Sequence, residues 1–121
     1  MHPDGYVELR DRSKDVIISG GENIASVEVE QVIADHPAVL EVAVIGIPDE
    51  RWGEVPAAYV TLREGAEATG DEIVEHVRGR LARFKAPRRV TFTELPKTST
   101  GKIQKFVLRD QAWAGSGRKI G

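Results

Sequence analysis

The chain is 121 residues long, with 40% hydrophobic and 30% charged residues, which suits one ordinary globular domain. It has no cysteine, so disulfides, thiolate metal sites and a cysteine nucleophile are excluded. Its 17 basic and 19 acidic residues give a formal net charge of −2, which argues against bulk attraction to nucleic acid or to an acidic membrane. No stretch approaches the roughly 18 apolar residues of a membrane span, and no apolar signal region follows Met1, so a cytoplasmic location is the default expectation.

The first 25 residues predict two short strands and a tight turn. Residues 6–9 alternate apolar and polar side chains, and residues 16–18 form a compact apolar run beyond a charged connector. The polar stretch 19–23 contains Gly20 and Gly21, which tolerate positive φ, so the chain should turn sharply there.

The middle of the chain predicts one helix and two buried strands. Apolar residues recur at partly helical spacing over residues 26–35, with acidic residues in the first turn, and Pro37 should end this helix. Residues 39–47 and 55–62 are mostly apolar and rich in β-branched side chains, which is typical of buried strands. The polar residues 48–54 should form the loop between them.

The last third predicts two helices and a short strand. Thr69 begins a capping box, and an apolar stripe continues from there to Phe84, so the second helix should end before Pro87. Residues 90–92 can form a short strand, and a last helix should run from Ile103 or Lys105 to near residue 112. This order of elements predicts a small α+β domain in which helices flank a main sheet of about three strands.

A lysine-bearing loop is the first candidate for chemistry. Residues 95–103 are small, polar and turn-forming, and Lys102 follows a glycine there, so its flexible ammonium could reach a phosphate or carboxylate. The loop is not a Walker A motif, because Pro96 and Ile103 occupy positions where that motif needs glycine and a hydroxyl. From the spacing alone a solvated surface loop is the favoured interpretation, because lysine in a polar turn is common.

A basic cluster is the second candidate. Residues 78–89 carry six basic residues and no acidic one. These residues could form a solvated helix end, or Phe84 could stack on an adenine while Lys85 and Arg88 hold its phosphates. RNA binding would use the same residues. His36 and His76 lack a second ligand at metal-binding spacing, so no metal site is predicted.

Five ordered motifs carry a resemblance to a known family. They are residues 4–6, 11–17, 19–24, 28–30, and 95–98 together with Gly101 and Lys102. In this order they resemble the adenylate-forming superfamily of acyl-CoA synthetases, luciferases and peptide-synthetase adenylation domains. The resemblance covers nearly the whole chain and implies the small, rotating C-terminal domain of such an enzyme.

The resemblance also implies roles for particular residues. Lys102 matches the lysine that stabilises negative charge during adenylate formation. Arg12 matches the arginine near the ribose hydroxyls of the nucleotide, and Lys14 occupies the hinge position. Gly20 and Gly21 resemble the turn that lines the pantetheine tunnel of coenzyme A.

The coenzyme A contacts extend to a second segment of the chain. Phe84, Lys85 and Arg88 match the region that holds the nucleotide end of coenzyme A, although Ala86 stands where some members have a basic contact. The segment 19–24 is more similar to fatty-acyl CoA ligases than to peptide-synthetase domains, which favours a fatty or other hydrophobic acid.

The resemblance divides the chain into three parts and implies partners for it. Residues 1–14 would be the end of the large domain and the hinge, residues 15–113 the mobile domain, and residues 114–121 a flexible tail. ATP, coenzyme A and a carboxylic acid would be the substrates, and the large N-terminal domain would bind Mg²⁺. The family's phosphate loop is not in this sequence, so the chain alone should lack full activity. The alternatives are an RNA-binding module that uses residues 78–89 and a stand-alone interaction domain.

Overall fold

The structure is a computed structural model that describes residues 16–82 and 85–116. The predicted strand at residues 6–9 lies outside these ranges. The described elements, in chain order, are β1 (Val16–Ser19), β2 (Glu22–Ala25), α1 (Ser26–Ala34), β3 (Val39–Asp49), β4 (Gly53–Leu62), α2 (Gly70–Arg78), β5 (Arg89–Phe92) and α3 (Lys105–Ser116).

A long antiparallel hairpin of β3 and β4 forms the centre of the sheet. Its register runs from Val39 opposite Leu62 to Asp49 opposite Gly53, with a bulge near the start of β3. The other edge of β4 is shared, because β1 pairs with it at Gly53 and β5 pairs with it in parallel at residues 57–60. β2 pairs with β1, so β3 and β2 end the sheet path on opposite sides.

The alternation of side chains along the central hairpin separates two apolar cores. One face packs beneath α1 and α2 and is built from Ile17, Ile24, Val29, Ile33, Val39, Val44, Ala58, Val60, Ile73, Val77 and Ala86. The other face packs beneath α3 and is built from Ala43, Ile45, Ile47, Val55, Ala57, Leu95 and Leu108. Neighbouring residues of a strand point to opposite faces, so both faces are buried and the strands read as nearly continuous apolar runs.

The α+β class is confirmed, but the described sheet has five strands rather than about three. Residues 22–25 form β2 because the glycine turn reverses the chain and lets this segment pair with β1. The short segment at Arg89–Phe92 gains a partner in β4. Both additions depend on pairing with a neighbour, since neither segment is strongly strand-like by itself.

The second helix begins as predicted and ends earlier. Thr69 and Glu72 form the expected capping box, with both reciprocal hydrogen bonds present. The helix stops at Arg78, because Gly79 is a poor helix former and serves as its C-cap. Leu81 still packs against the core beyond the helix end, which explains why the apolar stripe looked continuous.

The last helix runs to Ser116, beyond the predicted end near residue 112. Residues 117–121 of the expected tail lie outside the described ranges. Of the helices in residues 16–82 and 85–116, none is long and apolar enough to span a bilayer.

Candidate functional site

The glycine pair forms the tight turn between β1 and β2. Gly20 has φ of 58° and Gly21 has φ of 86°, a left-handed conformation that favours glycine at both positions. The two glycines differ in their surroundings. A Cβ on Gly20 would lie 2.4 Å from Cε3 of Trp52, whereas a Cβ on Gly21 would meet nothing within 4 Å. Gly20 therefore packs on a ring, and Gly21 presents bare backbone to open space.

Trp52 supports this turn from the β3–β4 loop. The N–H of Gly20 donates to the carbonyl oxygen of Trp52 at 2.9 Å. Oδ1 of Asp49 accepts from the backbone N–H groups of Arg51 at 2.8 Å and Trp52 at 2.9 Å, and so holds the loop. The hydrogen bond from Trp52, opposed by desolvation, lowers the pKa of Asp49, and the N–H of Arg51 and the charges of Arg88 and Arg51 act in the same direction.

Arg88 reaches the same corner from the segment before β5. Its guanidinium carbon lies 6.0 Å from the ring centroid of Trp52, and that of Arg51 lies at 5.2 Å, both within the range of a cation–π contact. The structure thus brings the predicted residues Gly20, Gly21 and Arg88 together. We call Gly20, Gly21, Asp49, Trp52 and Arg88 the glycine corner.

Sequence analysis missed two members of the glycine corner, Asp49 and Trp52. Trp52 lies in a polar loop, and its side chain remains 37% exposed. A large aromatic residue in a charged loop is the available signal, because tryptophan at the surface is enriched at binding sites. The polar composition of residues 48–54 indicates only a connection between two strands.

Lys85 takes a different direction from Arg88. Its Nζ donates to Oε1 of Glu28 on α1 at 2.8 Å, so much of its charge is engaged within the domain. Phe84, Arg12 and Lys14 lie outside the described residues, and their predicted roles stay predictions. Of the residues that the resemblance implies for coenzyme A, the structure therefore describes Gly20, Gly21, Lys85 and Arg88 but not Phe84.

Four described residues of the basic cluster, Arg78, Arg80, Lys85 and Arg88, have partners within the domain. Arg78 pairs with Glu75 on its own helix, and Arg80 donates to the carbonyl oxygen of His76. Lys85 and Arg88 point to Glu28 and to Trp52. Intradomain partners thus occupy residues that an RNA-binding face would need to present together.

Lys102 lies at the end of a small hairpin that precedes α3. Lys97 and Ile103 form an isolated antiparallel bridge, and Gly101 adopts a φ of 90°. Thr98 organises the loop. Its N–H donates to the carbonyl oxygen of Lys102 at 2.8 Å, and its Oγ1 accepts from the N–H of Lys102 at 3.1 Å. We call residues 97–105 the lysine hairpin.

The ammonium of Lys102 projects from this ordered backbone. The residue is exposed, and within residues 16–82 and 85–116 its side chain has no hydrogen bond or ion pair. An unengaged cation on an ordered backbone suits a group that must approach a ligand held by another surface.

The two candidate regions lie towards opposite ends of the central hairpin. The glycine corner borders Asp49 at the end of β3, and the lysine hairpin contacts Glu41 near its start. Asp49 lies eight positions after Glu41, which corresponds to roughly 26 Å of strand at about 3.3 Å per residue. The two regions therefore contact β3 at different positions along its length.

His36 and His76 form a ring pair. The rings of His36 and His76 meet edge to face, with centroids 5.1 Å apart. Nδ1 of His36 accepts from the N–H of Ala38, and Nε2 of His76 bonds the carbonyl oxygen of Val32. Across the described residues, no three histidine, aspartate or glutamate side chains are grouped so that they could hold a metal ion.

Known proteins match this chain in sequence and in structure. The AMP-binding enzyme C-terminal domain family matches residues 28–102. A 2-methylpropanoate–CoA ligase of Humulus lupulus is 60% identical over 115 residues, which cover 93% of this chain and 21% of that protein. An acetate–CoA ligase of the same plant is 53% identical over 116 residues, which cover 92% of this chain and 20% of that protein. A fatty acyl CoA synthetase structure from Mycobacterium tuberculosis superposes with a TM-score of 0.78 at 51% identity, covering 84% of this chain and 20% of that one.

These matches agree with the fold and with the order of the motifs. The described part is a small α+β domain that carries the predicted glycine turn and the lysine hairpin. The chain belongs to the AMP-binding enzyme C-terminal domain family. It spans about a fifth of the length of the curated relatives that it matches.

Proposed function

We propose that this chain is the C-terminal domain of an ATP-dependent carboxylic acid–CoA ligase. Its partner would be a large N-terminal domain that holds the acid and most of the nucleotide site. The observation that carries this proposal is the pair of distinct surfaces at opposite ends of the β3–β4 hairpin, together with relatives that are CoA ligases. Each surface has the chemistry for one of two successive half-reactions.

The lysine hairpin would serve the first half-reaction. A carboxylate oxygen of the acid attacks the α-phosphorus of ATP, and pyrophosphate leaves with the electrons of the broken P–O bond. Negative charge is spread over the reacting phosphate oxygens at this stage, so a cation delivered to them lowers the barrier. Lys102 has an exposed ammonium on an ordered loop, which suits it to enter such a site and to leave again.

The glycine corner would serve the second half-reaction. The thiol of coenzyme A attacks the acyl carbon of the adenylate, loses its proton to solvent or a base, and displaces AMP. The open side of Gly21 lets the narrow pantetheine arm approach the backbone. Trp52 and Arg88 offer a π face and a guanidinium for the nucleotide end, and Lys85 and Phe84 are further candidates there.

A rotation of the domain would exchange these two surfaces at one fixed active site. The different positions of the two surfaces along β3 favour a separate pose of the domain for each half-reaction. Lys14 is proposed as the hinge residue that absorbs the rotation, and Arg12 as the contact to the ribose hydroxyls. Both assignments rest on the resemblance of residues 11–17.

The remaining parts of the reaction are assigned to the large domain. Mg²⁺ would neutralise the phosphates of ATP there. We propose an aliphatic carboxylic acid as substrate, with a fatty or other hydrophobic acid as the finer hypothesis. The similar proteins are named for 2-methylpropanoate, acetate and fatty acyl substrates. Their common chemistry is an aliphatic carboxylate. A cytoplasmic location stays the default proposal.

The test compares the 121-residue chain with the intact enzyme that contains it. Each is supplied with ATP, Mg²⁺ and a series of acids from acetate to palmitate, and pyrophosphate release and thioester formation are measured. We expect activity from the intact enzyme and no acyl-adenylate from the chain alone, because the chain supplies only part of the site. Robust acid-dependent pyrophosphate release by the chain alone would contradict the proposal. A gene with no large domain in frame upstream would favour a stand-alone interaction domain.

A further inference from the structure

Three lysines lie within the nine residues of the lysine hairpin, and the structure treats them unequally. Lys97, Lys102 and Lys105 share this segment with no acidic residue among them. The outer two are ion-paired to carboxylates on other elements, whereas the side chain of Lys102 has no partner in the described part of the chain. The acidic residues thus engage the lysines at the two ends of the hairpin and leave the middle one exposed.

The first ion pair joins the start of the hairpin to the sheet. Nζ of Lys97 lies 2.6 Å from Oε2 of Glu41 on β3, and both side chains are partly exposed, at 37% and 28%. Lys97 also forms the backbone bridge to Ile103 that closes the hairpin. Holding Lys97 therefore holds both strands of the loop against the edge of β3.

The second ion pair joins the end of the hairpin to α1. Nζ of Lys105 lies 2.6 Å from Oε2 of Glu30, and the two side chains are only 20% and 19% exposed. The same ammonium donates to Oγ of Ser26, which is buried, at 3.2 Å. Oε2 of Glu30 also accepts from the N–H of Val44 at 2.8 Å. A single carboxylate oxygen of α1 thus contacts both the edge strand β3 and the hairpin.

We propose that Glu41 and Glu30, through Lys97 and Lys105, are positioning residues for Lys102. This inference rests on the proposed function, in which Lys102 acts during adenylate formation. We call these two ion pairs the clamp. The clamp fixes the backbone from which Lys102 projects, so that only the side chain of Lys102 remains free to move. A displacement of about 1 Å in a reacting group can cost up to about a hundredfold in rate.

The clamp is expected to fix the position of the hairpin, whereas apolar packing stabilises the domain. The apolar residues Leu95, Ile103 and Leu108 already pack the base of the hairpin against the core. The partly exposed Glu41–Lys97 pair adds little to folding stability by comparison, so its loss should loosen the hairpin while the domain stays folded. The Glu30–Lys105 pair is more buried, so its loss should also lower the stability of the domain.

The experiment uses four variants of the intact enzyme. Glu30→Gln keeps the size of the side chain and an acceptor for Val44 but removes the charge. Glu41→Lys repels Lys97, and Glu41→Lys combined with Lys97→Glu restores the pair in reverse. Glu75→Gln is the matched control, because its ion pair with Arg78 is on the surface of α2 and touches no part of the hairpin.

Two half-reactions and one activity-independent measurement are compared across these variants. We expect Glu41→Lys and Glu30→Gln to slow acid-dependent pyrophosphate release by roughly tenfold. Thioester formation from preformed acyl-adenylate should stay within about twofold of the unmodified enzyme, and the reversed pair should recover most of the loss. Hydrogen–deuterium exchange should be faster in a peptide covering residues 97–105 in the two slow variants only. Glu41→Lys should leave the Tm unchanged, whereas Glu30→Gln should lower it.

The inference is overturned if this peptide exchanges at the unmodified rate in every clamp variant, or if both half-reactions fall together and the reversed pair recovers neither. Failure of the proposed function gives a different result. In that case Lys102→Ala leaves pyrophosphate release intact, although the exchange of the hairpin peptide still responds to the clamp. The exchange measurement thus decides on the clamp even in an enzyme whose reaction has been misassigned.

Discussion

The glycine corner and the lysine hairpin present different parts of the chain and are held in different ways. The glycine corner is built into the sheet, where β1, β2 and the β3–β4 loop meet. The part of it that faces open space is the backbone of Gly21. The lysine hairpin lies outside the sheet, is closed by its own hydrogen bonds, and presents a long side chain. A backbone surface must be placed by the fold itself, whereas a lysine needs only an anchored base.

The difference explains why the two regions should respond differently to substitution. Changes at the glycine corner act on backbone conformation and on packing against Trp52, so they combine effects on folding and on ligand approach. Changes to Lys102 remove a charge from an exposed side chain and should leave the fold intact. The following predictions test that contrast in the intact enzyme, from the largest expected effect to the smallest.

Replacement of Lys102 by alanine should have the largest effect and should be selective. Loss of the ammonium removes stabilisation of the developing charge, so adenylate formation should fall by about a hundredfold or more. Thioester formation from preformed acyl-adenylate should largely survive. The measurement compares pyrophosphate release from acid and ATP with thioester yield from the adenylate, and Lys102→Met serves to separate charge from chain length.

Two results would break this contrast. If Lys102→Ala leaves the ATP-dependent step intact, the lysine hairpin is not the catalytic surface of the first half-reaction. If it abolishes both half-reactions in a folded protein, the two surfaces do not act separately.

Replacement of Gly21 by phenylalanine should give the opposite selectivity. A bulky side chain would intrude on the pantetheine path, so thioester formation should slow by roughly tenfold, and adenylate formation should slow less. Gly65→Phe is the matched control, because Gly65 also has a positive φ, 79°, and a Cβ added there would meet no atom within 4 Å. Equal losses in both half-reactions, or equal effects of the two variants, would point to backbone strain alone.

Replacement of Trp52 should weaken coenzyme A binding more than it slows the reaction. Trp52→Ala removes the ring beneath Gly20 and the π face beside Arg88, so the KM for coenzyme A should rise by roughly fivefold to tenfold. Trp52→Phe should retain part of the affinity. An unchanged KM for coenzyme A in Trp52→Ala would remove Trp52 from the proposed site.

The smallest effect concerns the pH dependence of the β3–β4 loop. The pKa of Asp49 is lowered below its ordinary value of 3.8, chiefly by the N–H of Trp52, so its ionised form is favoured in the folded chain. The support that Asp49 gives to the loop is therefore complete above pH 3.8, the ordinary pKa of the group, and is lost as the pH falls through the lowered pKa. Titration of the Asp49 carboxyl carbon by NMR should give a midpoint below 3.8, and a midpoint at or above 3.8 would contradict the hydrogen-bonded loop.

Short-range patterns predicted most of the elements and both candidate regions. The capping box at Thr69, the β-branched runs of β3 and β4 and the glycine turn all have local causes, so they were readable in sequence order. The resemblance of the ordered motifs to a known family was confirmed by the family match over residues 28–102. It added the proposed roles of Lys102 and the glycine pair.

What the amino-acid sequence determined by itself was thus the α+β class, the positions of the turns and the residues that could carry charge to a phosphate. Tertiary structure decided which of these meet. It paired β2 and β5 into the sheet, placed Trp52 beneath Gly20, and left Lys102 exposed between two lysines engaged by Glu41 and Glu30. Such side-chain contacts join residues that are far apart in the chain, and no periodicity records them, because their energy depends on distances that exist only after the chain has folded.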